Sequence, residues 1–263
     1  MASIADDRVR AEIEQRLQSI EAQQGVRYLF AVESGSRAWG FPSPDSDYDV
    51  RFVYVRPLEW YLSIRAGRDV IETPLVDEID LNGWDIRKAL GLLLKSNVIV
   101  SEWLESPIQY RPDDRAVPEF RDLADGLFDL AGAARHYASL GQTAAERWMT
   151  GSEPVPVKKY FYALRPALAL RAMRVLGEQR PPMNLQQLQS VCDLPQALNR
   201  IIDELVTLKS VTNEKGNAQR YTELDAFIAS ELALGATQKA SSRSKSQVEQ
   251  TNRFFRSLVT DAI

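Results

Sequence analysis

SGSRAWGFPSPDSDYDVRF, residues 34–52, follows one apolar run, VRYLFAV at 26–32, and leads into another. It begins with a turn at Gly35 and Ser36, crosses a loop rich in Pro and Ser, and ends on Asp47, Tyr48 and Asp49. Side chains alternate across a strand with period two, so Asp47 and Asp49 share one face and Tyr48 takes the other. Two ionised carboxylates held side by side repel, and a divalent cation between them relieves the repulsion. Oxygen donors of this kind suit Mg²⁺ or Mn²⁺, which keep several waters and draw remaining ligands from substrate phosphates. A Gly-Ser turn opening a short helix presents backbone N–H groups and a hydroxyl, the equipment for cradling phosphate oxygens. Phosphate on one side and a metal-holding pair on the other imply phosphoryl or nucleotidyl transfer.

Each half of this signal is weak alone. An Asp-x-Asp is commonly solvated charge on an exposed strand, and Gly-Ser after a strand is an ordinary turn. Their order and spacing, with Asp47 eleven positions after Ser36, sharpen the combination. Apolar strand, Gly-Ser, short helix, loop and Asp-x-Asp strand together resemble the signature of the DNA polymerase beta-type nucleotidyltransferases. More narrowly, Gly35 to Val55, with GWDIRKAL at 83–90 and KKYFYALRP at 158–166, resembles a nucleotidyltransferase family linked by name to an RNA repair pathway. The resemblance covers the first two thirds of the chain and fades after about residue 185. It implies an α/β fold of the α+β kind: an N-terminal polymerase-beta-like mixed sheet with flanking helices, then a C-terminal helical domain. It also implies a nucleoside triphosphate as substrate, with Gly35, Ser36 and Arg37 on the nucleotide side of the site, a third carboxylate from a neighbouring strand, and an RNA end as acceptor.

The third carboxylate comes from Asp77, Glu78, Asp80 or Asp85. Asp80 is favoured and Asp77 comes next, because Asp80 sits in the alternation of Ile79 and Leu81, ahead of an expected Asn82-Gly83 turn. Asp85 falls in the first turn of a helix expected from Trp84 to about Ser96, where a carboxylate favours the macrodipole. Arg51, two residues beyond Asp49, shares the acidic face and either pairs with the carboxylates or meets a triphosphate. Lys88 is a solvated helix residue by spacing alone; the resemblance favours a position facing the nucleotide.

The 263 residues suffice for one large or two moderate domains with a proper core. A net charge of −4 with both signs plentiful gives no global field to draw nucleic acid, so polyanion binding needs a local basic cluster. The single cysteine, Cys192, cannot form an intrachain disulfide, and no Cys/His cluster suggests zinc. Without a secretory segment or an apolar run long enough to span a bilayer, the expectation is a cytoplasmic protein with no membrane contact.

Beyond Pro112 the pattern turns almost wholly helical, with apolar residues at helical spacing over 114–129, 131–150, 157–176, 195–210 and 221–235, and a last helix over 250–259. The expected division is therefore a catalytic domain at 1–112 and a helical, substrate-binding domain at 113–263, with 236–248 as a mobile linker. Lys158, Tyr162 and Arg165, at steps of four and three, share one helix face. A cationic face beside aromatic rings suits a triphosphate or a nucleic-acid backbone; the plainer alternative is a surface helix whose aromatics pack inward. His136, the one histidine, reads as a hydrogen-bonded structural residue. The tryptophans at 39, 60, 84, 103 and 148 read as packing, with Trp39 also able to line a base pocket.

These readings converge on a Mg²⁺-dependent (or Mn²⁺-dependent) nucleotidyltransferase that binds ATP or another nucleoside triphosphate. Asp47, Asp49 and Asp80 serve as metal ligands, and the acceptor is an RNA end, a small molecule or a protein hydroxyl. A non-catalytic nucleotide-binding module is the alternative of another class, and the presence of both acids and the Gly-Ser argues against it.

Overall fold

The computed structural model describes residues 7–65, 67–146, 154–177, 179–213, 216–239 and 241–260; Ile4, expected in the first helix, and Trp148 lie outside them. Helix α1 (Asp7–Gln24) buries Ile13, Leu17 and Ile20, the stripe that helical spacing demands. Gly25 ends it with φ +59°, a left-handed conformation that glycine adopts without a Cβ penalty. There follow β1 (Arg27–Glu33), α2 (Gly35–Trp39), β2 (Tyr48–Val55), α3 (Leu58–Tyr61), β3 (Val70–Glu72), β4 (Ile79–Asp85), α4 (Ile86–Leu94), α5 (Ile99–Leu104) and β5 (Gln109–Pro112). The second half contains α6 (Ala116–Gly126), α7 (Leu130–Ala145), β6 (Val155–Pro156), α8 (Val157–Leu176), α9 (Leu185–Val191), α10 (Gln196–Val211), β7 (Asn217–Ala218), α11 (Thr222–Ala236) and α12 (Lys245–Thr260).

Five strands form one sheet in the order β3-β4-β2-β1-β5, and β6 pairs with β7 apart from it. Only β2 and β4 run parallel within the five. This is the expected mixed α/β architecture. Val50, Phe52 and Tyr54 of β2 join Ile79 and Leu81 of β4 in a core beneath α1. Val53 and Val55 point the other way, into a second core with α4, α5 and α6. A third core surrounds α8, whose residues from Tyr160 to Met173 are almost all buried against α7, α9, α10 and α11.

Two helices distant in sequence belong to the sheet side. Phe120 of α6 meets both Phe30 and Phe254 of α12, and Phe255 packs edge-on to Tyr61. The stretch expected as a mobile linker is held in part: the Arg243 guanidinium donates to the carbonyls of Leu94 (3.0 Å) and Leu93 (3.2 Å) at the end of α4. Lys and Arg suit such C-terminal carbonyls.

Two local expectations differ from the structure. Asn82-Gly83 is not a turn but lies inside β4, where Gly83 registers against Phe52. A Cβ on Gly83 would lie 1.9 Å from the Phe52 ring, so the glycine serves close approach rather than chain reversal. Helix α4 starts at Ile86, not Trp84, and Asp85 is its N-cap, accepting from the Arg87 amide at 2.8 Å. The other Asp85 oxygen takes the Tyr61 hydroxyl at 2.8 Å, and the residue is fully buried. Asp85→Ala would strand both donors, so it should lower unfolding free energy by about 1–3 kcal/mol. Urea denaturation should show the lower midpoint with an unchanged m value.

Candidate active site

Parallel pairing puts Asp49 of β2 beside Asp80 of β4. Alternation along β2 turns Asp49 and Arg51 to the face opposite α1. One nitrogen of Arg51, Nη2, donates to Asp49 Oδ1 at 2.9 Å and to Asp80 Oδ2 at 2.8 Å. Arg51 Nη1 donates to the Asp80 carbonyl, and Asn82 Nδ2 to Asp80 Oδ1 at 2.7 Å. Of the two uses expected for Arg51, the structure displays the pairing.

Asp47 precedes β2 and is exposed. Burial holds the Asp49 carboxyl above the usual range; Arg51 opposes this, the charges of Asp80 and Asp47 add to it, and Lys158 opposes it. Asp49 thus feels both of the other carboxylates and Lys158. Asp77, the second choice for third acid, turns to α1 instead and pairs with Arg16 at 2.8 Å. Glu78 lends its carbonyl to the Tyr48 amide at 2.7 Å.

Gly35 has φ +58°, and a Cβ there would lie 1.9 Å from Asp49 Oδ2. The turn therefore packs directly on the carboxylate, as only glycine allows. Ser34 N donates to the Asp49 carbonyl at 2.8 Å. Ser36 Oγ donates to Ser46 Oγ at 3.0 Å, next to Asp47. Arg37 lies over the Tyr48 ring at 3.8 Å and donates to the carbonyls of Ser46 (2.6 Å) and Asp47 (3.2 Å). In this arrangement it clamps the approach to β2.

Two expected nucleotide ligands lie elsewhere. Lys88 follows the far end of β4 from Asp80, roughly 16 Å away along the strand at ~3.3 Å per residue. It reaches Asp69 at 3.4 Å and covers Trp84. Arg165 is only 4 % exposed. It donates to Glu102 Oε2 at 2.5 Å, while Tyr137 holds Glu102 Oε1 at 2.8 Å. Its guanidinium stacks 4.4 Å from the Trp39 ring. Helical spacing placed Arg165 on the face of Lys158 and Tyr162, but α8 is central to its core, and the third step along the helix is already interior. Lys158 and Tyr162 stay exposed, with Lys158 Nζ 5.9 Å from the Tyr162 ring centroid and that ring edge-on to Trp39. A cleft of about 500 Å³ between α7 and α8 is walled partly by Lys158, Tyr162, Leu140 and Thr143. His136 Nδ1 accepts the Val98 amide at 2.9 Å, a structural bond, and burial lowers its pKa.

Glu33 escaped the sequence reading. It is fully buried at the end of β1, where Oε1 accepts the Asp49 amide at 2.8 Å and Oε2 the Tyr110 hydroxyl at 2.5 Å. A lone acid closing an apolar strand just before Gly-Ser was the available signal.

The chemistry of this donor set fits a hard divalent cation: carboxylate oxygens from adjacent strands, crowded enough to need a counter-charge. Among the described residues no three carboxylate, imidazole or thiolate side chains converge as a ligand cluster. The Arg51 guanidinium supplies the positive charge between Asp49 and Asp80.

A model of the RNA repair pathway DNA polymerase beta family matches residues 9–257. An uncharacterized protein of Bacillus subtilis (strain 168), YcgL, is 36% identical over 255 residues, spanning 96% of this chain and 97% of its own. The crystal structure of a nucleotidyltransferase-like protein from Exiguobacterium sibiricum 255-15 superposes with a TM-score of 0.31 at 10% identity, covering 95% of this chain and 80% of that one. An overlap of that size fixes neither fold nor activity.

Burial pushes the Glu33 carboxyl from 4.5 up to about 7, against the lowering effect of its Tyr110 and Asp49 hydrogen bonds. Across that window the native state keeps a proton that the unfolded chain has released, so this group's contribution falls as pH rises. The slope is at most about 1.4 kcal/mol per pH unit. Glu33→Gln removes the titration, so the stability difference between wild type and variant should change from about pH 4.5 to about 7 and level off above. Denaturant titrations at successive pH values test this; a level difference throughout would mean that Glu33 is already ionised in the fold.

Proposed function

The chain belongs to the RNA repair pathway DNA polymerase beta family, and on that footing we propose that it is a metal-dependent nucleotidyltransferase. It moves a nucleoside monophosphate from an NTP to an acceptor, with an RNA end as the leading candidate, and releases pyrophosphate. The observation that carries this reading is the meeting of Asp49 and Asp80 around one Arg51 nitrogen, against the Gly35 turn. Asp49 and Asp80, with Asp47, are the residues that would hold Mg²⁺ or Mn²⁺, replacing Arg51 as the counter-charge of the pair. Bound there, the cation supplies a lowered pKa for the attacking hydroxyl and charge neutralisation on the leaving group.

The protein's own groups orient the reactants. Ser36 and the backbone at Gly35 hold the terminal phosphates, Arg51 and Lys158 add positive charge, and the cleft beside Tyr162 admits base and ribose. The acceptor oxygen bonds to the α-phosphorus as the bond to the bridging oxygen breaks, and the acceptor proton leaves by the carboxylate face.

Asp49→Asn and Asp80→Asn should each reduce magnesium-dependent pyrophosphate release by about 10²–10³-fold or more, while the fold persists. Full activity in both variants would sink the metal assignment. With Arg165 buried, the exposed cations on this turn of α8 are Lys158 and its neighbour Lys159, both lining the cleft. Single-stranded RNA held there should show a log affinity falling with log salt at a slope of only about −1.4, or −0.7 per phosphate contact. Filter binding without nucleotide measures it. If RNA fails to bind at low salt while an NTP does, the acceptor is a small molecule or a protein hydroxyl.

A further inference from the structure

The segment Gly40–Ser46, which separates the phosphate turn from the acidic strand, is fastened by three helices of the second half. From α9, Gln186 Nε2 donates to the Gly40 carbonyl at 2.8 Å. On α8, Phe161 stacks against Phe41 with centroids 4.3 Å apart and planes at 14°. From α10, Lys209 Nζ donates to Ser43 Oγ at 3.2 Å. Ser43 Oγ and Ser46 Oγ are 2.8 Å apart, and Ser46 Oγ also accepts the Ser43 amide (2.9 Å) and the Ser36 hydroxyl (3.0 Å). A continuous polar line thus runs from α10 to the serine of the Gly-Ser turn. It stops one residue short of Asp47.

Lys209 stands where packing alone calls for an apolar residue. The buried side of α10 is Leu198, Ile202, Leu205 and Lys209, at steps of four, three and four. Lys209 is only 2 % exposed. An ammonium taken out of water costs several kcal/mol, roughly, before its interactions are counted, so a buried lysine is kept where its donors are used. The hydroxyl line is one such use, since a leucine or methionine offers Ser43 no donor.

We infer that Lys209 is a positioning residue, which fixes the Ser43–Ser46 line and thereby the placement of Ser36 relative to Asp47 and Asp49. It acts on triphosphate binding rather than on bond making. Its link to the loop stands by itself, whereas its effect on ligand rests on the nucleotidyl-transfer reading.

The test compares Lys209→Met, Lys209→Arg and Ser43→Ala with wild type in the full chain. Amide exchange over residues 41–47 reports the loop, calorimetry with a non-hydrolysable ATP analogue and Mg²⁺ reports binding, and thermal unfolding reports stability. In Lys209→Met and Ser43→Ala, exchange in the loop should quicken and analogue affinity fall, each about tenfold, the size expected for losing a hydrogen bond to a charged group. Lys209→Arg should restore part of the affinity. In turnover, KM should rise with kcat little changed. Unchanged loop exchange in the variants overturns the inference, as does a lower melting temperature with unaltered binding. If wild type binds no nucleoside triphosphate while the variants still loosen the loop, the nucleotidyl-transfer reading fails and the positioning role stands. Should Lys209→Met not fold, Ser43→Ala leaves α10 intact and carries the same readouts.

Discussion

Like charges held close must be compensated, and the repulsion between Asp49 and Asp80 is the constraint around which the sheet is arranged. Parallel register between β2 and β4 brings the carboxylates together, and Arg51 answers them with one nitrogen. The surroundings then deepen the problem rather than relieve it. Gly35 presses against Asp49, and Glu33 sits beneath it, buried and bonded to its amide. Burial raises the pKa of both carboxyls. A fold selected for stability alone would place apolar side chains here. Buried carboxyls with raised pKa values cluster at functional sites, and the proposed cation would relieve the crowding.

The second half of the chain takes part in the same problem. Phe161, Gln186 and Lys209 hold the loop from the side away from the sheet, while Arg37 holds its end over Tyr48. The spacing between the Gly-Ser turn and the acids is therefore set by tertiary contacts as much as by the eleven positions from Ser36 to Asp47. In return α6 and α12 cover the sheet's second core. Each half buries surface that belongs to the other, so the helical half is more than an appendage carrying a substrate-binding face.

What the sequence disclosed follows from the range of the forces involved. Strands β1 and β2, the Gly-Ser turn and helix α8 were legible because period, turn chemistry and apolar alternation are local; the same alternation put Asp80 in a strand, which the structure pairs beside Asp49. Gly83 was misread because a glycine after asparagine looks the same whether it turns the chain or admits an aromatic ring from the next strand. Arg165 was misread because helical spacing defines faces but not which face is interior, and its partner Glu102 lies 63 residues away. Lys88 was drawn toward the site by the family resemblance; β4 runs on through Asn82-Gly83 and carries the helix to the far end of the strand. Helix α9 had a signal, Asn184 capping the amides of Gln186 and Gln187 ahead of Leu185 and Leu188, but it lies where the family resemblance fades. Glu33 and Lys209 were hidden for a common reason: each is a lone charge in an apolar pattern, and its partners come from other elements.

Those two buried charges have different physical characters. Glu33 is a carboxyl whose proton burial retains, so it can sit below Asp49 near neutral pH without adding a full negative charge to the acidic face. Lys209 donates into a line of hydroxyls that ends at Ser36. Buried polar networks of this kind specify one arrangement because every alternative leaves a group unsatisfied. The network thus restricts the turn and the acid strand to one relative placement. That placement is what a triphosphate bridging the two would require, since its phosphates and its counter-ion must be met at once. Local flexibility would oblige the ligand to order the loop on binding, at a cost in affinity. For the proposed ligand, a site fastened from both halves of the chain would avoid that cost by being formed beforehand.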